Sequence, residues 1–239
     1  MIDKRVRSVA EAMDGIQDGA TVLVAGFATI GEPHILLDGL VEHGARDLTI
    51  VGNTVGRFRE GVSRLIELGR VRKLIVSWAR SPSSIGFEPL YAAGKIELEL
   101  VPQGTLAERI RSAGAGVPAF YTPTSVGTIL AKGKELRHFD GRDYVLERAI
   151  YGDVGLIEAW QADRWGNLTF RQAGRSFNPI VAMASKLSIA QAEHIVELGD
   201  IEPENVHTPG IFVTRVVHAP YGGDPRTEEN RLMERSAAR

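Results

Sequence analysis

Apolar residues along the first half of the chain fall into two alternating patterns. Thr21-Val22-Leu23-Val24-Ala25, Leu48-Thr49-Ile50-Val51, Lys73 to Trp78 and Ile96 to Val101 are short runs rich in Val, Ile and Leu. Runs of this length and composition read as strands buried on both faces. Between them the apolar positions recur at helical spacing: Ile35, Leu36, Leu37, Leu40 and Val41; Val62, Leu65 and Ile66; Leu106, Ile110 and Ala113. Val9 to Ile16 forms a short amphipathic segment ahead of the first strand, and Ser83 to Ala93 a further helix, interrupted by Pro89 and closed at Gly94. Gly44 and Gly69 stand where helices end, Gly44 as a left-handed cap. Thr105 and Glu108 have the spacing of a capping box at the head of the last of these helices. Strands alternating with helices at this rate predict an α/β fold: an open, mostly parallel sheet with helices on both faces.

The texture changes after Gly114. Residues 115 to 127 are small residues, prolines and two aromatics, Phe120 and Tyr121, and read as a long loop. Leu136 to Phe139 and Tyr144 to Leu146 flank the turn Asp140-Gly141, a hairpin signal, so a smaller mixed β region is expected in the second half. Val154 to Ala159 is a buried strand, and Asp163-Arg164-Trp165-Gly166-Asn167 turns into Leu168-Thr169-Phe170. Pro179 to Ala184 is a small-residue helix. Ile189 to Leu198 is assigned as strand in preference to helix, and Ile211 to Val217 as the last strand. From Ala219 onward the chain is polar and charged, either disordered or a short docking helix over Thr227 to Ala237.

One loop stands out. The first strand runs into Gly26-Phe27-Ala28-Thr29-Ile30-Gly31-Glu32, and Pro33 then opens a helix, a position where its missing N–H is no loss. Such a loop lies at the carboxyl end of a buried strand and at the positive end of a helix, where anionic or polar ligands collect. Two common ligands are disfavoured. The dinucleotide fingerprint needs a glycine at Ala28 and an acid after the second strand, where Gly52-Asn53 stands. The phosphate-loop pattern needs Lys and Ser or Thr where Glu32-Pro33 stands. Asn53 and Gln103 each follow a strand of the same sheet. Neutral amides there can donate to a carboxylate, a thioester carbonyl or a developing oxyanion without moving a proton; Asn is equally a common turn residue. Glu32 is a candidate base or nucleophile, but a carboxylate near a helix start is also stabilised simply by the dipole.

Composition narrows the classes further. The 239 residues are 44% hydrophobic, enough for one large α/β domain or two small ones, and the net charge of −2 suggests no nucleic-acid or membrane surface. The absence of cysteine removes thiol nucleophiles, disulfides and thiolate metal sites. The histidines (34, 43, 138, 194, 207 and 218) lack metal-ligand spacing, and no Gly-x-Ser-x-Gly elbow occurs. No run approaches a membrane span, the start of the chain has no signal-peptide core, and cytoplasm is the expected setting.

Several longer stretches then carry a resemblance. Gly26-Phe27-x-x-x-Gly31-x-Pro33, Asp47 to Val51, Gly94 to Arg111 with Pro102-Gln103-Gly104-Thr105 at its centre, Gly116-Val117-Pro118-Ala119-Phe120-Tyr121-Thr122-Pro123-Thr124, and Asp163 to Leu168 resemble the A (alpha) subunit of family I 3-oxoacid CoA-transferases. The resemblance spans about residues 1–217, which implies a single domain over 1–218 and leaves 219–239 as a polar tail. Asp163 to Phe170 and Ser176 to Ala184 are most similar to members that act on 3-oxoadipate in aromatic catabolism, with the acetoacetate:succinyl-CoA enzymes close behind.

The resemblance implies transfer of CoA from succinyl-CoA to a 3-oxo acid through a glutamyl-CoA thioester, with coenzyme A as co-substrate and no permanently bound cofactor or metal. It implies that the glutamate sits on a separate B (beta) subunit, in a heterodimer or heterotetramer. This chain would then supply a CoA-contacting loop (Gly26, Phe27, Ala28, Thr29, Ile30, Gly31, Glu32), amide contacts (Asn53, Gln103) and a substrate loop (Gly116, Val117, Thr124). A CoA-ester hydrolase or a non-catalytic binding subunit on the same fold is the alternative. Family members commonly carry Gly at position 28, Asn at 54 and Gly-Tyr-Gly at 125–127. This chain has Ala28, Thr54 and Ser125-Val126-Gly127.

Overall fold

The computed structural model describes residues 2–56, 60–80 and 86–220. In chain order these form β1 (Arg5–Val6), α1 (Val9–Met13), β2 (Thr21–Val24), α2 (His34–His43), β3 (Leu48–Thr54), α3 (Gly61–Glu67), β4 (Val71–Trp78), α4 (Phe87–Ala92), β5 (Glu97–Leu100) and α5 (Gln103–Gly114). There follow β6 (Ala119–Thr122), β7 (Leu136–Phe139), β8 (Arg142–Arg148), β9 (Gly152–Ala162), β10 (Leu168–Thr169), α6 (Asn178–Ala184), β11 (Ser185–Ile195) and β12 (Arg215–His218).

The main sheet runs β1-β12-β11-β9-β2-β3-β4-β5, with β10 paired antiparallel to β9 and every other pairing parallel. Successive side chains of a strand point to opposite faces, so each buried strand serves two cores. Val22, Val24, Leu48, Ile50, Leu74 and Val76 pack with α1 to α4 on one face. Leu23, Ala25, Val51 and Ile75 pack with α5 and α6 on the other. The chain fills the sheet from β2 outward to β5, then returns to place β9 on the other side of β2. The carboxyl ends of β2 and β9 therefore flank a topological switch point, the place where open α/β sheets leave a crevice. Among the described residues no helix is long and apolar enough to cross a membrane.

The smaller mixed region is a three-stranded antiparallel sheet, β6-β8-β7. Its hairpin turns at Asp140 (φ 47°) and Gly141 (φ 78°), both left-handed as a tight two-residue hairpin requires. Arg109 of α5 ties the two sheets together. It is buried, with Nη1 2.6 Å from Glu99 Oε1 of β5 and Nε donating to the Arg148 carbonyl of β8 at 2.7 Å.

Several boundaries differ from the sequence expectation, each for a local reason. Residues 115–127 are not one loop, because Ala119–Thr122 pairs with β8 as an edge strand. The capping box at Thr105 does not form. Helix α5 starts at Gln103 after Pro102, which puts Thr105 in its first turn, and Glu108 instead pairs with Arg111 at 2.6 Å. Pro89 does not interrupt α4, because it falls in the first turn, where N–H groups have no intrahelical partner anyway. Ile211 lies in a 3₁₀ turn, Gly210–Phe212, ahead of β12. Pro33 is the N-cap of α2 and not its first residue, and Gly44 is its left-handed C-cap, with φ 93°. The start of the helix expected from Ser83 and the segment Thr227 to Ala237 fall outside the described residues.

Candidate active site

At the carboxyl end of β2 the loop Gly26 to Gly31 folds as a miniature hairpin. Phe27 and Ile30 exchange both backbone hydrogen bonds, at 2.9 and 3.1 Å, around the two-residue turn Ala28-Thr29. Ala28 holds φ at 54°, a conformation disfavoured by a Cβ. Gly26 and Gly31 are required on steric grounds. A Cβ on Gly26 would lie 2.8 Å from Glu32 Cα, and one on Gly31 would collide with the Gly174 carbonyl.

The strained Ala28 is held by Asn53. Asn53 is the penultimate residue of β3 and not, as expected from sequence, part of a loop that follows the strand from Gly52; it is 8% exposed. Its Oδ1 accepts from the Ala28 N–H at 3.2 Å. Its Nδ2 donates to Ser77 Oγ (2.9 Å) and to Gln103 Oε1 (3.1 Å). Ser77 is the penultimate residue of β4, and the register Gly52↔Val76 and Thr54↔Trp78 sets it beside Asn53 on the same face. Gln103 opens α5. The carboxyl ends of four neighbouring strands, β2 to β5, thus converge on a single hydrogen-bonded cluster.

The polarity of that cluster is fixed at one end. A backbone N–H can only donate, so Asn53 must turn its oxygen to Ala28 and its NH₂ to Ser77 and Gln103. Gln103 must then offer its own oxygen inward. That leaves its NH₂ group without a hydrogen bond among the described residues, on an exposed side chain that lines an adjoining groove.

Outside the cluster lies an open groove of about 390 Å³, lined by Phe27, Ile30, Gln103, Ala107, Phe177 and Ile180. That volume suits a small-molecule group in an apolar setting with few polar contacts. Behind the loop, the cleft between Ala28, Glu32, Asn53 and Thr54 has only about 10 Å³, too little for a ligand. Glu32 is buried there with its Oε2 3.6 Å from His34 Nδ1. It precedes the Pro33 cap, so it is not a first-turn carboxylate of α2. The positive end of α2 is also closed, because Gln191 of β11 accepts the Leu36 N–H at 3.1 Å.

The rest of the expected site is spread out. Thr124 lines a second groove, on the β6 side of α5, with Gly104, Thr105, Glu108, Phe120 and Tyr121. Gly116 and Val117 follow the far end of α5. A helix of 12 residues is about 18 Å long, so the structure does not bring them to Gln103. Among the described residues no group of acidic and histidine side chains could hold a metal. His207 is committed locally: its Nδ1 accepts from the Phe170 N–H at 2.9 Å, and burial, together with Arg175, holds its pKa below the usual imidazole value.

Three residues that sequence reasoning passed over shape the site. Ser77 directly follows the apolar stretch Leu74-Ile75-Val76 and Gln191 stands between Ala190 and Ala192, which was the available signal. Asn178, fully buried beside Pro179, has the look of a turn residue. It donates to the carbonyls of Gly31 (3.0 Å) and Gly174 (2.8 Å) and accepts from the Glu158 N–H (2.8 Å). It thereby fixes both walls of the groove. Two of the three departures from the family pattern, Ala28 and Ser125 (φ 78°), hold the left-handed backbone that a glycine would adopt without strain.

Comparison with known proteins places these features in a family. The coenzyme A transferase family model matches residues 6–219. The A subunit of the 3-oxoadipate CoA-transferase of Pseudomonas putida is 55% identical over 91% of this chain and 94% of its own length. The A subunit of a probable succinyl-CoA:3-ketoacid coenzyme A transferase of Bacillus subtilis is 49% identical over 90% of this chain and 89% of its own. Among solved structures, the acyl-CoA transferase YdiF of Escherichia coli O157:H7 superposes with a TM-score of 0.81 at 26% identity over 93% of this chain. The chain spans about half of that protein, 49% of its length. On the extent and identity of these matches, the chain belongs to the coenzyme A transferase family.

Proposed function

We propose that this chain is the A subunit of a CoA-transferase that moves CoA from succinyl-CoA to a 3-oxo acid, with 3-oxoadipate as the favoured acceptor. The observation that carries the reading is the Gln103 amide: its oxygen is engaged by Asn53, which Ala28 orients, and its side chain lines an apolar groove. The names of the similar proteins support it, and so does the half-length match to a longer acyl-CoA transferase, which leaves room for a second half contributed by a B subunit.

In this reading a glutamate of the B subunit is the nucleophile. Its carboxylate adds to the thioester carbonyl of succinyl-CoA; the C–S bond breaks, CoA leaves as thiolate and an acyl-glutamyl anhydride remains. The thiolate adds to the glutamyl carbonyl, the anhydride C–O bond breaks, and succinate leaves a glutamyl-CoA thioester. The carboxylate of the 3-oxo acid repeats the two steps in reverse, taking the CoA and freeing the glutamate. Each addition places negative charge on a carbonyl oxygen. A neutral, pre-oriented amide donor stabilises that charge and needs no proton transfer; a single such donor contributes about 2.7–4 kcal/mol. The groove is open in this chain; with the B subunit across it, the apolar walls Phe27, Ile30, Phe177 and Ile180 exclude water from the anhydride, which would otherwise hydrolyse.

Purification of this chain alone and with a co-expressed B subunit tests the reading. Alone it has no transferase activity. The complex transfers CoA from succinyl-CoA to 3-oxoadipate, and borohydride or hydroxylamine traps an acyl-enzyme on the B subunit. Release of CoA to water without dependence on a 3-oxo acid overturns it in favour of a hydrolase.

A further inference from the structure

We infer that Ser77 is a positioning residue for the transfer reaction: it acts through Asn53 to hold the Gln103 amide with its NH₂ toward the groove. The inference rests on the proposed role of Gln103. Asn53 Nδ2 carries two hydrogens. One goes to Gln103 Oε1 and the other to Ser77 Oγ. The Ser77 hydroxyl donates its own hydrogen to the Asn53 backbone carbonyl at 2.9 Å. That bond fixes the rotor, so the oxygen lone pairs face Asn53 Nδ2 and the serine serves there as an acceptor only. Asn53 is therefore held at three points: oxygen to Ala28, one hydrogen to Ser77, one to Gln103.

The geometry separates two kinds of failure. A flip of the Asn53 amide is opposed by Ala28, because it would set two donors face to face. Smaller rotations of the amide plane are opposed only by Ser77 on one side and Gln103 on the other. Without the Ser77 oxygen, Asn53 can follow Gln103 outward, and the Gln103 NH₂ loses its fixed direction. Ser77 also lies 3.5 Å from Gln103 Oε1, so it limits how far that oxygen can swing. Ser77 itself sits one residue from the end of β4 and is not among the residues lining the groove. Its effect is expected in the turnover number more than in substrate affinity.

The test uses the complex with the B subunit, assayed for transfer from succinyl-CoA to a 3-oxo acid. Ser77→Ala is expected to lower kcat about five- to tenfold with KM within about twofold, the loss typical of a misaligned catalytic group. Ser77→Thr keeps the hydroxyl and restores at least half of kcat. In a Gln103→Ala background, Ser77→Ala produces no further loss of kcat, since the group it positions is gone. Unchanged kcat in Ser77→Ala overturns the inference while leaving the Gln103 reading intact. So do losses that multiply in the double variant, the mark of a general structural role. If Gln103→Ala alone leaves turnover unchanged, the reading of the site falls and the Ser77 inference falls with it.

Discussion

Two helices begin at the same edge of the main sheet, and they treat their positive ends in opposite ways. Helix α2 follows the glycine loop, where sequence reasoning placed the ligand. Its first turn is closed by this chain: the Leu36 N–H donates to buried Gln191 and the His34 N–H to the Glu32 carbonyl. Helix α5 follows β5 with no side-chain cap, and its first residue, Gln103, carries the amide whose NH₂ has no partner among the described residues. A strand tip and a helix start are common to both. The difference is whether the polar groups already have partners, since a buried N–H is almost always satisfied from within when it can be. The end left open is where chemistry can be received. An open end must also be held in place by something other than a cap, and in α5 that is Arg109 in the middle of the helix.

Removing that anchor gives the largest expected effect. Arg109→Leu removes a cation that lies 2.6 Å from Glu99 and 3.8 Å from the buried Glu147, leaving each carboxylate with one lysine, Lys73 at 3.1 Å and Lys134 at 2.5 Å. Because both carboxylates keep a cation, the cost is that of the lost charge-assisted hydrogen bonds, about 1.5–3 kcal/mol. Urea denaturation is expected to show a loss of that size, and a loss below about 1 kcal/mol would mean that α5 is held by packing alone. At the closed end, Gln191→Leu strands the Leu36 N–H in the core. A buried donor without a partner costs about 1–3 kcal/mol, and the same measurement checks it.

At the open end the expected effect is on turnover. Gln103→Ala lowers kcat of the complex at least tenfold, about 1.4 kcal/mol of activation free energy, while the complex still assembles by size-exclusion chromatography. A tenfold loss from Gln191→Leu with none from Gln103→Ala would reverse the comparison between the two helix starts.

The strands and helices of the first half were legible because buried parallel strands read as continuous apolar runs. β2, β3 and β4 fall where Val22, Ile50 and Leu74 predicted them. β6 was hidden: Ala119–Thr122 has partly exposed positions on both faces and prolines at both flanks, so neither period shows. The convergence of the Gly26 loop, Asn53 and Gln103 was readable from their places at strand ends. Which amide is left with an unbonded NH₂ was not. It depends on the Ala28 N–H, on Ser77 from the neighbouring strand, and on a register that only the folded sheet sets. Asn178 was opaque for the same reason, since its three bonds reach Gly31, Gly174 and Glu158 across the fold.

The smallest effect expected concerns the pH dependence of the α5 anchor. Burial of Glu99 pushes its pKa up, but Arg109 and Lys73, at 2.6 and 3.1 Å, outweigh that and hold it below the usual carboxylate value. A carboxylate whose pKa is depressed in the folded state contributes stability that is fully present above its unfolded pKa, about 4.3. That contribution is lost as pH falls through the folded value, because the folded state gives up the ionised form less readily than the unfolded chain. Stability measured by urea titration is therefore expected to stay level with respect to this group from neutral pH down to about 5, then decline more steeply in wild type than in Glu99→Gln. The Gln side chain cannot titrate, so the two curves converge at the acid end. If the curves stay parallel throughout, Glu99 is not the group through which protonation loosens α5. The closed end offers the contrast: Gln191 is neutral, so Gln191→Leu shifts the whole curve without changing its shape.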